Sequence, residues 1–118
     1  MFKFEQLRVY TRSLDFVDAI YTATRNWPKD ETFGLSSQLQ RAAVSILLNI
    51  AEGASRTSKD FRHFLSLSRG SCYECVAILD IALRRKYITK DRYDYLYAEC
   101  VTIAKMLSAL RTSLVASK

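Results

Sequence analysis

Three glycines and a single proline in 118 residues leave little material for tight turns. A chain so poor in breakers is expected to fold into few, long elements. No stretch alternates apolar and polar residues long enough to argue a strand. The longest apolar run, residues 42–51, is interrupted by Ser45 and Asn49 and flanked by Arg41 and Glu52. It is about half of the ~20 residues that a membrane-spanning helix needs, so no membrane span is expected. One histidine, His63, excludes any scheme that needs two. Glu52, Glu74, Asp80 and Glu99 are scattered and form no Glu-x-x-Glu pair, which argues against the magnesium sites of helical nucleotide pyrophosphatases. The three cysteines are an odd number. The opening Met1-Phe-Lys-Phe-Glu-Gln-Leu-Arg8 carries charges where a secretory signal has an apolar run. Free thiols in a reducing cytoplasm are the expectation.

What the chain has is helical periodicity, in four segments spanning one domain, 1–118. In the first, Leu7, Tyr10, Leu14, Val17 and Tyr21 recur at steps of three and four and are expected to form its buried stripe. Trp27-Pro28 closes it, because the residue before proline is pushed out of helical backbone, and the following Pro28–Thr32 loop is expected to cap the next helix. The second segment, about Phe33 to Glu52, places Leu35, Leu39, Ala42, Ile46 and Ile50 on one face. Gly53 is read as its left-handed stop. The third starts at a cap, Thr57-Ser-Lys-Asp60, and runs toward Lys86. It has two apolar rows, one through Leu65, Cys72, Cys75 and Leu79 and another through Phe64, Leu67, Ile78 and Ile81, which hints at a partner subunit. Gly70 within it is read as a point of close helix approach. The fourth follows Thr89, with the seam Tyr93, Leu96, Cys100, Ile103, Leu107, Leu110 and Leu114. Short connections make neighbouring helices antiparallel, so the expected fold is an all-α, up-down-up-down four-helix bundle.

The net charge of +6 is unevenly placed. Residues 1–54 carry six Lys/Arg against six Asp/Glu, whereas residues 55–92 carry nine against four. Two clusters hold the excess: Arg56, Lys59, Arg62 and Arg69 in the first half of the segment, the first three around the start of the third helix, and Arg84, Arg85, Lys86, Lys90 and Arg92 around the third connection. Lysine and arginine in such clusters neutralise phosphates, and interleaved tyrosines such as Tyr87 and Tyr93 offer faces for unpaired bases. The plainer alternative is a core tyrosine with cations that complement a helix C-terminus.

The block Phe33-Gly-Leu-Ser-Ser-Gln-Leu-Gln-Arg-Ala-Ala-Val-Ser45, followed by Asn49-Ile-Ala-Glu-Gly53, resembles the bacterial four-helix-bundle family first noticed in 23S rRNA intervening sequences. Gly70-Ser71-x-x-Glu74 and the opening Phe4-x-x-Leu7 fit the same pattern, so the similarity covers nearly the whole chain. One departure is the absence of a proline between Ser45 and Asn49, from which a straighter second helix is expected. The resemblance implies a cytoplasmic bundle that assembles into a homopentameric ring. It also implies kinship with the accessory protein of diversity-generating retroelements, a basic pentamer that binds nucleic acid and a reverse transcriptase.

Three constellations remain. Gln38, Arg41, Ser45, Asn49 and Glu52 form a polar stripe on the second helix, read first as a structural network whose Arg41 and Glu52 pair with another helix or subunit. A ligand site and simple solvation are the alternatives. Cys72-x-x-Cys75 invites a zinc or redox reading, but with Cys100 these residues hold core-stripe positions, so neither a metal nor a cofactor is expected. Arg56 and His63 loosely fit the Arg-x(4–6)-His spacing of small helical ribonucleases, the HEPN domains, a pattern short enough to arise by chance. The leading expectation is therefore a non-enzymatic, self-associating bundle that binds RNA or DNA through phosphate contacts. A scaffold for an acidic partner or a nucleic-acid enzyme is the alternative.

Overall fold

The computed structural model describes residues 1–116; the last two residues of the expected 1–118 domain lie outside the described residues. Four helices follow one another: α1 Arg8–Thr24, α2 Leu35–Ala54, α3 Ser58–Arg84 and α4 Lys90–Ala116. Short 3-10 turns at Lys3–Gln6 and Lys29–Glu31 precede α1 and α2. Each helix packs on its neighbours in the chain, and α4 closes the ring against α1. The backbones of the diagonal pairs, α1 with α3 and α2 with α4, stay farther apart, with no Cα atoms within 8 Å among the described residues. The result is an up-down-up-down bundle measuring 48 × 22 × 21 Å.

Local chemistry sets the helix ends. Thr57 Oγ1 accepts the Asp60 amide at 3.2 Å and Thr89 Oγ1 accepts the Arg92 amide at 3.2 Å, as the two expected caps require. At α2 the cap comes from the preceding turn, where Glu31 Oε1 accepts the Leu35 amide at 3.0 Å. The end of α3 is a Schellman motif: Tyr87 donates to the Ala82 carbonyl at 2.9 Å and Lys86 to Leu83 at 3.0 Å. Lys86 has φ 66°, the left-handed region that glycine usually occupies.

The core follows the expected faces of α2, α3 and α4. Leu39, Ile46, Ile50, Leu65, Leu79, Leu96, Ile103 and Leu107 are fully buried, each contributing about 1.5–3 kcal/mol relative to exposure. Helix α2 runs unbroken through the segment that lacks the family's proline. In α1 the stripe is rotated from the expected one. Val9, Ser13, Phe16, Ile20 and Thr24 are buried, while Leu14 and Tyr21 are each about half exposed. Serine and threonine sit on the true core face, and Thr24 is tolerated there because its hydroxyl donates to the Ile20 carbonyl at 3.0 Å.

Neither singled-out glycine plays the part expected of it. Gly53 lies inside α2, which continues to Ala54, and it is not left-handed. It is buried where a Cβ would stand 2.6 Å from Phe64 Cβ and 2.9 Å from Phe61 Cδ1, so it permits α3 to approach. At Gly70, where close approach was expected, an added Cβ would meet nothing within 4 Å.

Candidate nucleic-acid interface

The turn order of the bundle divides the basic residues between its two ends. Arg56, Lys59 and Arg62 lie at the α2–α3 turn and in the first turns of α3, and Arg84, Arg85, Lys86, Lys90 and Arg92 surround the α3–α4 hairpin. Lys59 and Arg84 are separated along α3 by roughly 38 Å at ~1.5 Å per residue. The charge-rich third of the sequence therefore forms two patches, with Arg69 alone between them in the middle of α3.

The patches differ in how free their cations are. At the α2–α3 end, Arg56 is tied to Glu52 at 2.5 Å and lies over the Phe64 ring at 5.3 Å. Its hydrogen bond to Glu52 raises its pKa and holds the charge in place. Arg62 is half-buried, with its Nε atom enclosed and unpartnered. Only Lys59 stands exposed without an ion-pair partner there among the described residues. At the hairpin, Lys90 pairs with Asp94 at 2.5 Å, one helical turn along α4. Arg84, Arg85, Lys86 and Arg92 are exposed, and none forms a salt bridge among the described residues. Arg85 lies over the Tyr87 ring at 5.9 Å.

The hairpin tyrosines are structural. Tyr87 packs on Trp27 at 5.8 Å and donates to Glu31 Oε2 at 2.9 Å. With the Leu35 amide as the main cause and this hydroxyl as the second, the Glu31 carboxyl is held below its ordinary pKa. Tyr93 donates to Asp80 at 2.5 Å, which pushes its pKa up to about 12. Their hydroxyls are thus committed, and what the hairpin presents to solvent is positive charge.

The polar stripe of α2 is brought together only in its middle. Asn49 donates to the Ser45 carbonyl at 2.9 Å and to Ser45 Oγ at 3.1 Å, and Ser71 of α3 reaches Ser45 Oγ at 3.0 Å. Glu52 turns to Arg56 just beyond its own helix, and Gln38 and Arg41 are exposed. Arg41, Ser45 and Asn49 line a shallow depression of about 640 Å³ together with Tyr21 of α1. Two further α2–α3 and α1–α2 bonds had no signal in the apolar pattern: Ser68 Oγ donates to the Ile46 carbonyl at 2.7 Å, and Gln40 donates to Thr24 Oγ1 at 3.0 Å. A serine or glutamine at core spacing is the trace they leave in the sequence.

The cysteines are buried and free. Burial pushes the Cys72 thiol up to about 12, and Cys75 is raised by its hydrogen bond to Cys100 and by burial. Such thiols stay protonated and act as small apolar groups. No group of three metal-ligating side chains occurs among the described residues. Arg56 and His63 flank the same Phe64 ring, at 5.3 and 5.9 Å, but the guanidinium is engaged by Glu52. No described helix is long and apolar enough to cross a membrane.

The model of the 23S rRNA-intervening sequence protein family matches residues 5–109. The chain belongs to that family. A similar fold is seen in the crystal structure of a protein of unknown function from the S23 ribosomal protein family of Bacteroides thetaiotaomicron, with a TM-score of 0.81 and 25% identity. The alignment covers 88% of this chain and 95% of that one. A comparison with curated proteins finds no match. Set against the structure, the signature block of the family is largely scaffolding. Ala42, Ala43 and Ile50 are buried, Gly53 admits Phe64, and Ser45, which accepts from Asn49 on its own helix, joins α2 to Ser71 of α3.

Proposed function

We propose that this chain is a non-enzymatic, self-associating bundle that binds nucleic acid through phosphate contacts made chiefly by the α3–α4 hairpin. The observation that carries this reading is the set of four exposed cations at one tip, Arg84, Arg85, Lys86 and Arg92, none held in an ion pair among the described residues. Lys86 adds weight, because a lysine held in left-handed backbone keeps a charge where glycine would be less strained. The Tyr87 hydroxyl at this tip is already bonded to Glu31, and what remains there is exposed positive charge. Contacts of this kind are little dependent on base sequence.

Self-association is supported by a second feature. Leu67, Gly70, Ala77 and Ile81 recur along one exposed stripe of α3, interrupted by Glu74, with Leu67 and Ile81 each nearly half exposed. A ring of copies, five in the assembly that the family resemblance implies, would convert one weak tip into a multivalent surface. Light scattering and a salt-dependent gel shift on the same sample test the reading. The expected result is an oligomer whose affinity for mixed-sequence duplex falls with salt, each phosphate contact adding about 0.9 to the log–log slope. Failure to shift duplex or RNA at low salt overturns it.

A further inference from the structure

Between α3 and α4, on the flank of the bundle, lies a groove of about 500 Å³. Its size is in the range of about 300–1,000 Å³ that small-molecule sites occupy. It exists because both helices present small side chains at the same level. Cys72 and Val76 of α3 face Cys100, Val101 and Ala104 of α4, leaving a trough where longer side chains would have filled the seam. Cysteine, valine and alanine side chains make the floor apolar.

The charges at its rim are at one end. The bond from Tyr93 to Asp80 sets the register of the antiparallel pair, and the interaction of Cys75 with Cys100 agrees with it. Continuing that register sets Arg69 level with Lys105, on opposite walls. Arg69 donates to the Tyr73 hydroxyl at 3.1 Å and lies over its ring at 5.4 Å. Neither Arg69 nor Lys105 has a carboxylate partner among the described residues. Toward the hairpin the groove continues past Val76, Val101 and Tyr97 with no further cation. From Tyr97 to Ser108 it is roughly 17 Å long at ~1.5 Å per residue. An extended apolar chain of about a dozen carbons fits that length.

We infer that the α3–α4 groove is a binding site for a single-chain amphipathic anion, its apolar chain along Cys72, Val76, Val101 and Ala104 and its anionic head between Arg69 and Lys105. The inference is independent of the hairpin and of nucleic acid. Dodecanoate is a suitable probe, titrated calorimetrically into the full chain, with dodecyl maltoside as a ligand of similar tail and uncharged head. Saturable binding of about one dodecanoate per chain is expected, at least ~10-fold tighter than the maltoside, since the charge-assisted head contacts would be missing. Arg69→Gln with Lys105→Gln should weaken dodecanoate by ~10-fold or more and bring the two ligands together, and Ala104→Trp should abolish binding by filling the trough. Absence of saturable binding to the parent chain, equal binding of both ligands, or an unchanged affinity in the double variant would each overturn the site. Should Ala104→Trp lose its helical circular dichroism, the two exposed-charge substitutions decide the question alone. Should the parent chain refuse dodecanoate while Ala104→Trp lowers the mass seen by light scattering, a second copy covers the groove and the inference fails.

Discussion

Lys86 closes the Schellman turn of α3 with φ 66°, a conformation that is strained for a residue with a Cβ. Replacing it with glycine should stabilise the fold by about 1 kcal/mol, read as a higher thermal midpoint, while weakening duplex binding in the gel shift. A gain in both stability and binding would show that its charge is not used. The glycines allow a paired comparison in urea. Gly70→Ala replaces an exposed helical glycine that has open space around it, and should stabilise by about 0.5–1 kcal/mol. Gly53→Ala thrusts a methyl against the Cβ of Phe64, which has no rotamer to retreat into, and should cost on the order of 1–3 kcal/mol.

Between elements, the α1–α4 seam is clasped by Arg12 and Glu99, whose oxygens accept from Nε at 2.9 Å and Nη2 at 3.0 Å. The guanidinium hydrogen bond holds the Glu99 carboxyl below its ordinary pKa. A carboxyl depressed in the folded state contributes stability above its unfolded pKa and loses it as pH falls through the folded value. Stability should therefore decline on acidification below about pH 4, and Glu99→Gln should flatten that part of the profile in a series of urea melts. The elements themselves were readable to very different depths. Helices α2, α3 and α4 announce their cores because aliphatic residues and cysteines recur at heptad steps, and Thr57 and Thr89 mark two starts. Helix α1 misleads because Ser13 and Thr24 occupy buried positions while Leu14 and Tyr21 face outward, so apolarity and burial part company there. For the basic residues, identity and clustering were visible, but not which cations would be claimed by Glu52 and Asp94. Nor was it visible that Tyr87 and Tyr93 would spend their hydroxyls on Glu31 and Asp80. Those pairings depend on how the helices are staggered, which periodicity alone does not encode.

For the whole molecule, a rod 48 Å long with basic groups at both tips cannot lay both on a short duplex. The roughly 38 Å along α3 between Lys59 and Arg84 corresponds to about 11 base pairs at ~3.4 Å each. Arg84→Ala with Arg85→Ala should weaken binding to duplexes of about 8 and 20 base pairs alike. Lys59→Ala with Arg62→Ala should spare the shorter and weaken only the longer, as fluorescence anisotropy would report. Equal effects of both double variants on the short duplex would reject the assignment of the hairpin as the primary contact. An even number of antiparallel helices has one more result. The first turn of α1 and the last described turns of α4 emerge beside the α2–α3 turn, away from the hairpin. A fluorophore or surface tether attached at either terminus would thus crowd Lys59 yet leave Arg84 and Arg85 reaching freely into solution.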